Sequence, residues 1–353
     1  MMLADHGAQV IRVERPGARV DARDPLARSR DSIIVDMKSP DGPAIVRDLA
    51  KTADGFIEGF RPGVAERLGL GPDVLLTDNP KLVYGRMTGW GQTGPYAQAA
   101  GHDINYIALS GALHGMGRAG EKPTPPLNLV GDFGGGAMML AFGMLCALLA
   151  VLRGGKGQII DCAMTDGSAL LSAMTWGYYA TGEWRDERGV NLFDTGAHFY
   201  DTYECSDGRF ISLACIEPKF YALLRQKLAL EGDVRFDAQL DPRSWVPLKN
   251  ELTTLFRSRT RAEWCALLEM TDACFAPVLS LEEAPRHPYH VERGTFLKMG
   301  AGIQPAPAPR YSDTATGAPS AFGTVGDAAE KVLTEIGYDA ERIEELRRSG
   351  AVG

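Results

Sequence analysis

The sequence has no excess of basic residues. It contains 37 Lys and Arg against 45 Asp and Glu, which gives a formal net charge of −8. Nucleic-acid binding needs a basic face that neutralises phosphates, so this charge excludes nucleic acid as a general partner. One anionic ligand in a local basic pocket is still compatible with it.

Signals for secretion, membrane insertion and metal binding are also scarce. Residues 1–5 show no basic run followed by an apolar core, so no secretory signal is expected. The longest apolar stretch, residues 137–152, is short for a membrane span and contains Gly143, so we expect a buried helix and no membrane partner. The six cysteines form no C-x-x-C pair, which predicts reduced, mostly buried thiols in a cytoplasmic protein without a metal site.

The chain of 353 residues alternates strand and helix patterns in its first half. Helical periodicity over residues 41–51, 64–69, 104–113 and 136–152 separates the strands, which predicts an α/β domain with a largely parallel sheet over residues 1–180. A hairpin pattern near residues 199–213 and two helices predict a smaller α+β domain over 194–290. Residues 300–323 are rich in Pro and Ala, and two closing helices follow. The predicted strands of the first domain are residues 9–13, 32–36, 55–57, 82–87 and 157–163.

A formal G-x-G-x-x-G occurs at residues 115–120, with the sequence GMGRAG. A dinucleotide-binding fingerprint follows a strand and opens a helix. This one follows a predicted helix and runs into a Pro-rich segment that cannot be helical. We therefore reject nicotinamide binding and expect a flexible loop.

Two motifs each lie at a predicted helix start. In GHDINY, Gly101 and His102 precede an apolar helix, so His102 is expected beside backbone N–H groups that stabilise an anion. Taken alone, this motif is better explained by a helix cap at Asp103, with His102 as a structural neighbour. In GDFGGG, Asp132 precedes three glycines, which either only begin the helix or let the backbone pass close to a ligand.

Basic residues recur where predicted strands end. Arg15, Lys38 and Arg61 follow strands, and Arg67 lies just beyond. Ligands of open α/β sheets bind at the carboxyl ends of strands, and arginines there suit phosphates. Each residue alone is also compatible with a solvated surface charge.

These motifs together resemble the α-methylacyl-CoA racemase branch of the family III CoA-transferase superfamily. The resemblance covers nearly the whole chain and includes GFRPGV at residues 59–64, RMTGWGQTGP at 86–95, GHDINY at 101–106 and PLNLVGDFGGG at 126–136. It implies a Rossmann-like large domain, a small α+β domain, a segment over residues 300–353 that returns to the large domain, and an interlocked homodimer. In such a dimer the active site lies where one subunit's large domain meets the other's small domain.

The resemblance also implies roles for particular residues. The two general bases fall on His102 and Asp132, and a supporting glutamate falls on Glu217. The backbone N–H of Asp103 is the expected donor to the enolate oxygen. No separate cofactor is implied, because CoA is part of the acyl-CoA substrate. The implied CoA-binding positions are Arg15, Val35, Asp36, Met37, Lys38, Gly59, Phe60, Arg61, Arg67, Gly101 and Tyr106.

Three functions remain as hypotheses. A racemase needs two bases, and His102 with Asp132 favours that reaction. A CoA transferase of the superfamily would use Asp132 as acyl acceptor, although such enzymes usually carry an aromatic residue at the position of His102. The third hypothesis is an impaired acyl-CoA binder, because the resemblance implies an opening strand ahead of Met1. Met138, Met139 and Met164 are possible linings of an acyl site, and the acyl chain itself stays open.

Overall fold

The computed structural model describes residues 1–300, 302–314 and 316–353. The chain forms two compact units, each made of discontinuous segments. The first unit comprises Met1–Ala100, Asp132–Gly167 and Ala284–Gly353, and the second comprises Gly101–Gly131 and Ser168–Glu283. Residues 101–131 and 168–180, which the sequence prediction assigned to the first domain, therefore belong to the second unit. The contacts that hold them there join residues far apart in the chain, which a reading of local pattern cannot detect.

Strands and helices alternate along the described chain. The strands are β1 Ile11–Glu14, β2 Asp31–Ile34, β3 Gly55–Glu58, β4 Val83–Thr88, β5 Ile159–Ala163, β6 Tyr200–Glu204, β7 Phe210–Ala214, β8 Phe275–Pro277, β9 Phe296–Met299 and β10 Gly302–Pro305. The α-helices are α1 Met2–Asp5, α2 Gly42–Thr52, α3 Val64–Arg67, α4 Pro72–Asp78, α5 Asp103–Leu109, α6 Met139–Leu152, α7 Met164–Leu171, α8 Ala173–Thr181, α9 Pro218–Lys227, α10 Pro242–Phe256, α11 Arg261–Leu268, α12 Pro288–Arg293, α13 Ala329–Glu335 and α14 Ala340–Arg348. Leu129–Met138 is π-helical and leads directly into α6.

The first unit is built on parallel strands. β1 pairs with β2, and β3, β4 and β5 form a second sheet in that order, with every pair parallel. Helix α2 buries Ile45, Val46 and Leu49 at helical spacing, while its other face is polar. This arrangement confirms the predicted α/β class, since parallel strands need helical crossovers.

The C-terminal helices complete the core of the first unit. Leu333 of α13 and Leu346 of α14 are fully buried, and they join the same apolar cluster as Ile33 and Ile45. Helix α14 begins at a side-chain cap, where Asp339 accepts a hydrogen bond from the N–H of Arg342 at 2.8 Å. The segment that closes the chain is therefore part of this core.

The second unit has an antiparallel sheet covered by helices. Its strand order is β6, β7, β8, and the predicted hairpin is present as β6 and β7. Helices α9, α10 and α11 pack on this sheet, and Phe199, Phe256 and Trp264 form its most buried centre. Helix α11 begins with a capping box, in which Thr260 and Glu263 exchange hydrogen bonds.

Helix α6 exists as predicted, but the prediction that it is buried is wrong. Leu140 and Met144 pack against the parallel sheet, whereas Phe142 is 67% exposed and Leu152 is 84% exposed. The sequence stretch is apolar on all sides, so composition could not distinguish a fully buried helix from one with a single buried face. By length and composition, the helix over Leu129–Leu152 is also able to cross a membrane.

Truncation of Leu333 tests whether the closing helices belong to the core of the first unit. We expect Leu333→Ala to lower the free energy of unfolding by about 2–5 kcal/mol, because the cavity is left in a fully buried site. Leu281 is 96% exposed, so the matched Leu281→Ala variant should change it by less than about 0.5 kcal/mol. Urea denaturation followed by circular dichroism measures both, and equal effects would contradict this assignment.

Candidate active site

The ends of the parallel strands carry the predicted basic residues. Arg15 directly follows β1, Lys38 lies four residues after β2, and Arg61 lies three residues after β3. All three side chains are exposed, and so is that of Arg67, the last residue of α3. Guanidinium and ammonium groups at carboxyl ends of strands are suited to binding phosphate groups.

The segment after β2, residues 35–38, is shaped by backbone hydrogen bonds. Val35 is fully buried, and its N–H donates to the carbonyl of Glu14 at 2.9 Å. Asp36 accepts a hydrogen bond from the N–H of Lys38 at 2.9 Å, which folds the chain into a turn. Met37 is half-buried against the core of the first unit. Val35 is therefore inaccessible to a ligand, whereas Lys38 in the same segment is exposed.

His102 occupies the position just before helix α5. Its backbone is extended, and its N–H donates to the side-chain oxygen of Asn105 at 3.1 Å, which caps the helix. The imidazole is exposed. Tyr106 is buried, and its hydroxyl donates a short hydrogen bond to the carbonyl of Gly101. The structure therefore fixes the backbone on both sides of His102 while its ring remains accessible.

The carboxylate of Asp103 is a structural feature that the sequence analysis missed. It is buried, and its Oδ2 accepts a hydrogen bond from the N–H of Gly131 at 2.6 Å. A side-chain carbon on Gly131 would lie 2.6 Å from that oxygen and 3.2 Å from the Cα of Asp103, so only glycine fits. The bond joins the residue after His102 to the residue before Asp132.

Asp132 lies in the π-helical segment, and the glycines after it pack against the backbone of Gly167 and the thiol of Cys162. A side-chain carbon on Gly167 would lie 1.9 Å from the carbonyl oxygen of Gly135, so the two backbones are in direct contact. The carbonyl of Gly136 accepts a long hydrogen bond, at 3.8 Å, from the thiol of Cys162. This close contact explains why residue 167 is glycine. For the glycine run itself, both alternatives from the sequence, a helix start and a close approach to a ligand, stay open.

Glu217 lies at the N-terminal end of helix α9. Its side chain is exposed, and its carbonyl accepts hydrogen bonds from Phe220 and Tyr221 at 3.0 Å. Among the described residues, no hydrogen bond joins Glu217 to His102. The nearby His198 is fully buried and contacts the hydroxyl of Tyr221 at 2.7 Å. Burial lowers the pKa of His198 to about 3, so this histidine is neutral and belongs to the core.

The G-x-G-x-x-G segment is held in place, so the predicted flexible loop is wrong. Arg118 forms an ion pair with the buried carboxylate of Asp201 and also donates to the hydroxyl of Thr202 at 3.0 Å. Arg188 donates to the carbonyl of His114 at 2.8 Å. These partners are 74 to 84 residues away in the chain, which explains why the local sequence did not indicate them.

The second unit also contains an apolar cavity of about 1000 Å³. Trp176, Tyr179, Trp184 and Phe193 contribute much of its wall. Val130, two residues before Asp132, lies on its lining as well. None of the methionines considered for an acyl site lines it, so that role stays a prediction. Across the described ranges, no cluster of three or more His, Cys, Asp or Glu could hold a metal ion.

The chain matches the CoA-transferase family III over residues 1–323. The chain belongs to the CoA-transferase family III. Within this family, it is 44% identical to the mouse α-methylacyl-CoA racemase over 349 residues, which cover 98% of this chain and 91% of that protein. The human α-methylacyl-CoA racemase is 43% identical over 348 residues, with the same two coverages.

Solved structures agree with the family III fold. A CAIB/BAIF family protein from Brucella suis superimposes with a TM-score of 0.80 and covers 95% of this chain and 93% of its own. Its sequence identity is 24%, so this similarity concerns the fold. The predicted architecture, a family III CoA-transferase fold, is therefore confirmed.

Replacement of Gly131 tests the bond that Asp103 makes. We expect Gly131→Ala to lower the free energy of unfolding by about 1–3 kcal/mol, because the added carbon displaces a buried carboxylate from its donor. Gly232 has no atom near the corresponding position, and Gly232→Ala is the matched control with little expected effect. Thermal unfolding of both variants measures the difference. A Gly131→Ala variant as stable as the control would refute the close approach.

Proposed function

We propose that this protein is an isomerase that interconverts (R)- and (S)-2-methylacyl-CoA thioesters. The identity of 44% to a racemase over nearly the whole chain supports the reaction class. The observation that carries the mechanism is the hydrogen bond from Gly131 to Asp103, because His102 and Asp132 directly flank its two ends in the chain. This bond holds the residue after His102 beside the residue before Asp132.

The proposed reaction moves one proton from one face of carbon 2 to the other. Neutral His102 or ionised Asp132 removes the α-proton, depending on which enantiomer is bound, and the electron pair of the C–H bond forms an enolate. The other residue then donates a proton to the opposite face. Each positioned acid or base contributes typically about 10²–10⁴-fold to the rate.

Stabilisation of the enolate oxygen is the second requirement. The backbone N–H of Asp103 lies in the first turn of α5, and we propose it as the donor, with a contribution of roughly 3 kcal/mol. Glu217 would orient the imidazole of His102. Because His102 and Glu217 share no hydrogen bond within the described chain, we propose that Glu217 acts from a second copy of the protein.

The CoA portion of the substrate would bind at the strand ends of the first unit. Arg15, Arg61 and Arg67 are the proposed partners of its phosphates, with the backbone after β2 beside them. Gly59 and Phe60, two further positions implied by the resemblance, lie in the turn after β3. The reaction needs no further cofactor, since the CoA thioester itself acidifies carbon 2.

We further propose a homodimer, with helix α6 in its interface. The exposed residues of this helix recur at intervals of four and three, a spacing typical of helix pairs. A lipid bilayer is a less suitable environment for the exposed face of this helix. Leu140 and Met144 on the opposite face pack against the sheet, so lipid could not surround the helix. The exposed residues of the stripe are Met138, Phe142, Leu145, Leu149 and Leu152.

A cytoplasmic location and a role in lipid metabolism complete the proposal. The six cysteines are free in the structure, and Cys162, Cys205 and Cys215 are buried. Cys146 is exposed on α6, so the expectation of mostly buried thiols is met by three of the six residues. Free thiols are typical of a reducing compartment.

Isotope exchange tests the proposed reaction. We expect one enantiomer of a 2-methylacyl-CoA in D₂O to gain deuterium at carbon 2 and lose its chirality, because protonation from the opposite face draws on solvent-derived protons. His102→Ala should lower the rate at which chirality is lost by about 10²–10⁴-fold. Mass spectrometry and chiral chromatography measure both changes.

The matched control is His114→Ala, which removes an exposed histidine outside the proposed machinery. It should leave the exchange rate unchanged. Transfer of CoA to an added carboxylic acid without deuterium uptake would instead indicate a transferase with an acyl group on Asp132. CoA binding with neither reaction would indicate an acyl-CoA binder.

Charge substitution in the stripe tests the dimer. Leu145→Lys should yield a monomer, since a buried lysine in an apolar interface lacks a partner. Val234→Lys, at a residue 77% exposed in the second unit, is the control and should remain dimeric. Size-exclusion chromatography with light scattering reports the mass. A wild-type monomer, or a Leu145→Lys dimer, would contradict the proposal.

A further inference from the structure

Arg86 lies in the middle of strand β4 and is almost completely buried. Its Nε–H donates to a carboxylate oxygen of Glu58 at 2.8 Å, and its terminal nitrogen donates to Glu66 at 2.8 Å. Glu58 is itself buried and stands directly opposite Arg86 in the parallel pairing of β3 and β4. One guanidinium therefore holds two carboxylates from two different segments.

Each carboxylate directly precedes a segment that is proposed to bind CoA. Glu58 comes before the turn that carries Arg61, and its second oxygen accepts the N–H of Phe60 at 2.7 Å. Glu66 comes directly before Arg67 in helix α3. The hydrogen bonds of Arg86 thus fix the backbone on which both exposed arginines stand.

Stability alone is a poor explanation for this arrangement. A buried ion pair gains little over apolar residues of similar size, because its desolvation offsets most of the attraction. Here a second carboxylate adds a further negative charge, close to a proposed binding site for an anion. Hydrogen bonds from Arg86 lower the pKa of Glu66, so the carboxylate of Glu66 stays ionised and hydrogen-bonded to Arg86.

We infer that Arg86, Glu58 and Glu66 are positioning residues for the nucleotide half of CoA. They hold Arg61 and Arg67 where these side chains meet phosphate groups, and they do not touch the substrate themselves. This inference rests on the proposed function. All phosphates of CoA lie on its nucleotide half, so the three residues act on that half and not on the thioester end.

A truncated substrate separates this role from a general effect on folding. Racemisation is measured with a 2-methylacyl-CoA and with the corresponding 2-methylacyl-pantetheine, which lacks the nucleotide. Glu66→Gln should raise KM for the CoA ester on the order of five-fold with kcat retained. It should leave kcat/KM for the pantetheine ester unchanged. Arg86→Lys should act in the same direction, because one ammonium cannot hold both carboxylates in this geometry.

Glu66 has a side chain that is 44% exposed, so its substitution should leave the fold intact even where changes at the buried Arg86 do not. Glu341→Gln, at an exposed residue of the same unit, removes an equal charge and should change neither substrate. An equal loss with both substrates in Glu66→Gln would overturn the inference, as would no change with either.

Calorimetry with CoA keeps this test independent of catalysis. Glu66→Gln should weaken CoA binding on the order of five-fold relative to wild type and to Glu341→Gln. If the wild type racemises neither ester, the proposed function is wrong, and the CoA titration still decides the positioning role. Equal CoA affinities of the three proteins would then overturn that role as well.

Discussion

The hydrogen bond between Gly131 and the carboxylate of Asp103 is the contact on which the account of the site depends. It is short, at 2.6 Å, and its acceptor is buried. A charged acceptor strengthens such a bond, and loss of the donor would cost free energy because the acceptor is buried. His102 and Asp132 sit at its two ends in the chain. Each of the two proposed bases is therefore adjacent in the chain to a residue that this bond holds in place.

The proposed roles of the site residues depend on backbone segments that hydrogen bonds hold in place. His102 presents an exposed ring from a backbone fixed by Asn105 and Tyr106. In the first unit, Arg86 fixes the strand-end segments proposed to bind the phosphates. A racemase that handles two enantiomers must hold the thioester still while the rest of the acyl group moves. The proposed roles of Arg86 and of the bond between Gly131 and Asp103 are consistent with that requirement.

Much of the fold was predictable from the sequence, because its signals are local. The strand over residues 55–57 and the helix over 41–51 appear as β3 and α2 with shifts of about one residue. Helix α6 was predicted correctly, but its exposed face was not. A uniformly apolar segment does not show which side of the helix packs against the protein. The π-helical form of Leu129–Met138 left no signal. Helix α11 was missed although its capping pair, Thr260 and Glu263, is visible in the sequence.

The candidate site was predictable only in part. His102, Asp132 and the strand-end arginines were identified from motif position and family resemblance. The carboxylate of Asp103 and the guanidinium of Arg86 were not, because their partners lie 28 and 20 to 28 residues away. Only the folded chain brings such pairs together. The need for glycine at residue 167 was not predicted either, because its close contact with Gly135 depends on packing.

The two-base assignment is tested most directly by giving each pure enantiomer of a 2-methylacyl-CoA to two variants in D₂O. With one base removed, the other can still exchange the proton that it faces. The account predicts that His102→Ala exchanges one enantiomer without inverting it, and that Asp132→Asn exchanges the opposite one. Identical behaviour of both enantiomers in both variants would contradict it.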